Sequence, residues 1–83
     1  MTTRIANYKG HEIRVENGWT SGERLFVDGV MQDEQLGFGF RSRLWGKIGD
    51  GDGLGETIKV SLGGWTSIDC RIFVDDKLLQ TAT

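Results

Sequence analysis

The chain has 83 residues, a formal charge of −2 and a single cysteine, Cys70. A domain of this size buries only about 60% of the surface its unfolded chain exposes. One cysteine and one histidine exclude an internal disulfide and a Cys/His zinc cluster, so a second chain is the remaining source of extra stability.

Acidic and basic residues are mixed along the chain, with no basic stripe, so no nucleic-acid partner is predicted. No stretch approaches the ~20 apolar residues of a membrane span. The N-terminal Met1-Thr2-Thr3-Arg4 opens no signal-like apolar run, which makes a cytoplasmic protein the expectation.

Thirteen glycines and no proline predict short strands joined by many turns. Residues 4–8 read as a first strand anchored by Ile5 and Tyr8, broken at Lys9-Gly10. From His11 to Glu16 the pattern alternates, Ile13 and Val15 on one face and Glu12, Arg14 and Glu16 on the other, the mark of a half-buried strand. Asn17-Gly18 reads as a turn, residues 23–28 as the returning strand, and Asp28-Gly29 as a second turn. Met31 to Gln35 has room for one helical turn. Leu36 to Trp45 reads as a long strand, with Gly37 and Gly39 leaving a shallow outer face.

Gly46 to Gly55 is the longest irregular stretch and is expected to be mobile. Beyond it, Ile58, Val60 and Leu62 face inward. Gly63-Gly64 turns, and Ile68, Cys70, Ile72 and Val74 line the returning strand. Asp75-Asp76-Lys77 then leads into a terminal strand at Leu78-Leu79.

The second half repeats the first. Glu12-Ile13-Arg14-Val15, Gly18-Trp19-Thr20-Ser21 and Arg24-Leu25-Phe26-Val27-Asp28 return as Thr57-Ile58-Lys59-Val60, Gly64-Trp65-Thr66-Ser67 and Arg71-Ile72-Phe73-Val74-Asp75. The expectation is one domain over residues 1–83, with copies at about 11–30 and 56–78 and residues 46–55 as the connector. The predicted fold class is all-β: an antiparallel meander of about six to eight short strands, forming a small sandwich or flattened barrel of two repeat-related halves.

The run His11 to Arg24, followed by Val27-Asp28-Gly29, resembles the start of the β-domain of the Fas apoptotic inhibitory molecule family. The second copy, ending near Lys77-Leu78-Leu79, resembles that family's next hairpin. The resemblance implies a non-catalytic antiparallel β-domain. The family carries two such domains in tandem, and the resemblance implies that this chain would supply one.

Catalytic and metal signatures are sparse. Asp50-Gly51-Asp52-Gly53 and Glu56 resemble a fragment of a calcium loop but lack its further ligands, and read as a solvated turn. His11 has no nucleophile at a supporting spacing and reads as a solvated strand-edge residue. Cys70, among inward residues, reads as a buried thiol. No cofactor is expected.

Large aromatics are the remaining candidates. Phe26 and Phe73 hold equivalent outward positions and, with Gly37, Gly39 and Trp45, form the expected interaction surface of a homodimer or protein-binding module. The alternative is a glycan- or small-ligand-binding domain that stacks its ligand on Trp19, Trp65 and Trp45.

Overall fold

The computed structural model describes residues 2–18, 22–35, 41–63 and 69–79. They form eight strands, β1 (Thr2–Tyr8), β2 (His11–Gly18), β3 (Gly22–Val27), β4 (Val30–Gln35), β5 (Arg41–Lys47), β6 (Thr57–Gly63), β7 (Asp69–Val74) and β8 (Lys77–Leu79). Each half of the chain makes one antiparallel four-stranded sheet, β1-β2-β3-β4 and β5-β6-β7-β8. The fold is therefore all-β, a small sandwich of two halves.

Strict alternation determines which face each sheet buries, because successive side chains in a strand point to opposite sides. Ala6, Ile13, Val15, Leu25 and Val27 from the first sheet meet Leu44, Ile58, Val60, Leu62, Ile72 and Val74 from the second in one core. Tyr8, Cys70 and Leu79 pack against its margin. Burial at that margin pushes the Cys70 thiol pKa up, as expected of an inert packed thiol.

The central hairpins of the two sheets share a register. Ile13 pairs with Val27, Arg14 with Phe26 and Val15 with Leu25. Ile58 pairs with Val74, Lys59 with Phe73 and Val60 with Ile72. The turns that follow them, from β3 to β4 and from β7 to β8, also match: Asp28 and Asp75 have φ of 51° and 47°. Each Asp carboxylate accepts a backbone N–H near the start of the neighbouring strand, Glu12 N of β2 at 2.9 Å and Thr57 N of β6 at 3.1 Å. Both central residues of Asp28-Gly29 and of Asp75-Asp76 have positive φ. That is the type I′ geometry whose twist suits a two-residue hairpin.

Four expectations change. Asn17 and Gly18 do not turn but continue β2 and pair with Glu23 and Gly22; residues 19–21 lie outside the described residues. Gly63 likewise continues β6, paired with Asp69, and Gly64 lies outside the described residues. Met31–Gln35 forms no helical turn but belongs to β4, because cross-strand pairing with β3 satisfies its backbone. That pairing shifts register between Leu25 and Phe26 and leaves Gln32 as an extra residue, a β-bulge.

Finally, the glycine-rich stretch does not join the sheets. Gly46 and Lys47 belong to β5, and the rest forms the β5–β6 loop inside the second sheet; the sheets are joined between β4 and β5. The loop is tied by backbone hydrogen bonds: Ile48 N–H to Glu56 O, Gly55 N–H to Ile48 O, Leu54 N–H to Gly51 O and Glu56 N–H to Gly53 O. Ile48 itself is buried in the core.

β4 and β5 meet where the first sheet hands over to the second. A Cβ on Gly46 would lie 3.1 Å from both Gln32 Cβ and Leu25 Cδ2, so glycine permits this close approach. Asp33 Oδ2 accepts the backbone N–H of Trp45 at 2.9 Å, covering a donor on an edge strand.

Candidate functional site

Two features stand out, a buried histidine at one end of the sandwich and a pair of residue rows across its outer faces. His11, expected to be solvated, is 6% exposed. It begins β2, and the β5–β6 loop lies over it, with the ideal Cβ of Gly51 3.8 Å from its Cε1 and Nε2. Nδ1 faces Asp28 Oδ2 at 2.6 Å and Nε2 faces the Asp52 carbonyl at 2.8 Å.

Both partners are acceptors, so both ring nitrogens donate and the ring is an imidazolium. The Asp28 hydrogen bond, then the Asp52 carbonyl, raise the His11 pKa against the opposing effect of burial. The same His11 contact lowers the Asp28 pKa. Ligand atoms of His11, Asp28 and Asp50 lie within 4.8 Å of one another. With both nitrogens committed as donors, the group is an ion pair with a second carboxylate, Asp50, nearby. Beside it, Lys9 Nζ meets Glu56 Oε1 at 3.3 Å, a second tie between the first hairpin and the loop. This ion-paired end of the sandwich is a clasp between halves.

The outer faces carry the aromatics. On the first sheet, pairing aligns Ile5, Arg14, Phe26 and Met31 across all four strands. On the second it aligns Trp45, Lys59, Phe73 and Leu78. In both rows a cation lies over the phenylalanine, Arg14 at 4.6 Å from the Phe26 ring centre and Lys59 at 5.4 Å from that of Phe73. Lys59 Nζ is also 5.7 Å from the Trp45 ring centre.

The expected surface residues therefore separate. Trp45 and Phe73 share the second sheet's outer face, whereas Phe26 belongs to the outer face of the first. Gly37, Gly39, Trp19 and Trp65 lie outside the described residues. Trp45 is 51% exposed and Leu78 61%, and Met31 ends the other row at 51%.

The surrounding charges differ. On the first face Arg14 lies between Glu12 and Glu16, at 4.0 and 3.5 Å, and Arg24 meets Glu34 at 2.6 Å. On the second, Arg43, Lys47 and Arg71 are exposed. None of the ion pairs formed among the described residues involves them. Sequence reading followed the inward positions and overlooked this sorting; the signal was the outward set Arg43, Trp45, Lys47, Lys59, Arg71 and Phe73.

No known protein family, curated protein or solved structure matches the chain. Among the described residues no helix is long and apolar enough to cross a membrane.

Proposed function

We propose that this chain is a non-enzymatic binding module whose working surfaces are the outer faces of its two sheets. The observation that carries the reading is the pair of rows, in which large apolar side chains stay exposed on both faces of a small domain. The engagement of both nitrogens of His11 supports a role outside catalysis, since a general base needs a free nitrogen. A non-catalytic β-domain is also what the resemblance to the Fas apoptotic inhibitory molecule family implies.

The two faces have different partners. The first, with its cations paired, suits isologous contact between two copies through Phe26 and Met31. Burying a phenylalanine contributes roughly 1.5–3 kcal/mol, a large share of a small domain's stability. The second face brings like charges together in any two-fold pairing, which costs several kcal/mol, and is left to a ligand.

Light scattering at micromolar concentration should give twice the 9.3 kDa chain mass. Phe26→Asp should return it to the single mass, and Phe73→Asp should leave it doubled. A single mass for the unmutated protein refutes the homodimer. The exposed ring of Trp45 favours a second reading, a neutral glycan or small ligand stacked there. Tryptophan emission titrated with sugars tests it: quenching abolished by Trp45→Ala supports it, and no change refutes it.

A further inference from the structure

We infer that the outer face of the second sheet binds single-stranded nucleic acid. The inference deepens the binding-module reading and rests on that face being a working surface. Along the sequence the charges look evenly mixed, but the strands sort them. Because Leu44, Ile58, Val60, Leu62, Ile72 and Val74 all point into the core, strand alternation turns the residues between them outward. The outward set includes Arg43, Lys47, Lys59 and Arg71, four cations on a chain of net charge −2. At one end the β7–β8 turn carries Asp75 and Asp76, and the Asp75 carboxylate is already bonded to Thr57 N.

Two aromatic rings lie within this basic face. Trp45 and Phe73 flank Lys59, whose ammonium is 5.7 and 5.4 Å from their centres. A single strand offers the complementary pattern, π faces of unpaired bases joined by phosphates. Bases stack on the two rings, and a phosphate between them passes Lys59, with Arg43, Lys47 and Arg71 meeting the flanking backbone. An exposed sheet that combines stacking rings with cations is a known physical solution to this recognition problem. A duplex hides its base faces, an acidic peptide uses the cations alone, and a neutral glycan uses the rings alone.

The experiment is fluorescence anisotropy with fluorescein-labelled oligothymidylate and oligouridylate of about twelve nucleotides, within the usual site size of a small β-domain. A duplex of the same length and a labelled polyglutamate peptide serve as comparisons. The expected result is binding at low salt that weakens linearly in log–log form as salt rises, with a slope near −0.7 per phosphate contacted. Trp45→Ala should weaken binding about tenfold, the loss of one stacked base. Arg43→Gln should weaken it and flatten the slope by about 0.7.

Absence of an anisotropy change with the unmutated protein at low salt overturns the proposal. So does binding that ignores both Trp45→Ala and Phe73→Ala, since that is charge attraction without stacking. Capture of polyglutamate without oligonucleotide overturns it while leaving a binding module. Silence towards every probe, sugars included, removes the second face from the broader reading as well.

Discussion

The two sheets are built on one plan and finished differently. Their central hairpins share register, and the same kind of Asp turn leads from each into the last strand of its sheet. Around that frame, the first sheet neutralises its outward cations with glutamates, and the second leaves Arg43, Lys47 and Arg71 without an ion pair among the described residues. The first half joins β1 to β2 through the two residues Lys9-Gly10, whereas the second inserts the long loop that covers His11. The inward positions and the turns determine the backbone. The outward positions and one loop are free to carry function.

The most damaging change should fall where the sheets are alike. Leu25→Ala and Ile72→Ala empty equivalent, fully buried positions, and each should cost about 2–5 kcal/mol in urea unfolding. A large cost in one half and a negligible cost in the other would break the equivalence.

The Asp turns sharpen the comparison. Asp75→Ala removes one hydrogen bond to backbone, worth about 1 kcal/mol. Asp28→Ala removes the same bond and also deprives a buried imidazolium of its carboxylate, so it should lower the urea midpoint further. The excess should be present near pH 6 and vanish well above neutrality, while the Asp75→Ala effect stays level.

The sign follows from linkage. The folded pKa of His11 is raised, so its contribution is complete below the ordinary imidazole value near 6.5 and is lost as pH rises through the folded pKa. That of Asp28 is lowered, so its contribution is present above the ordinary carboxylate value of 3.8 and is lost as pH falls through the folded pKa. Urea midpoints measured from pH 5 to 9 should decline at the upper end, and His11→Gln should remove that decline. An unchanged decline in His11→Gln assigns it to another group.

The smallest effects belong to the cations over the rings. Arg14→Ala and Lys59→Ala should each cost about 0.5–1 kcal/mol. Lys59 touches two rings and has no glutamate partner among the described residues, so its effect should depend less on salt than that of Arg14.

Much of this architecture can be read from the amino acids. Alternation at Ile13-Val15 and Ile58-Val60-Leu62 predicts the buried faces, and Asp28-Gly29 predicts its turn, because both signals are local. β4 was obscure because Val30-Met31-Gln32-Asp33-Glu34-Gln35 is polar without alternation, and only pairing with β3 makes it a strand. The burial of His11 was hidden because its partners are 17 and 41 residues away. Trp45 and Phe73 were each legible as outward. Their placement around Lys59 depends on which strands become neighbours, which no local pattern encodes.

The shared register has a consequence for how such a molecule can change. Two hairpins with the same pairing make a design that half the chain length could complete by twofold self-assembly, each copy supplying one sheet. In such an assembly every substitution would appear twice, and both outer faces would carry the same charge. Covalent linkage lifts that constraint. Here it lets a bulge at Gln32, a histidine opposite Asp28 and an outward set of cations each arise on one side only, so a symmetrical scaffold gains a direction.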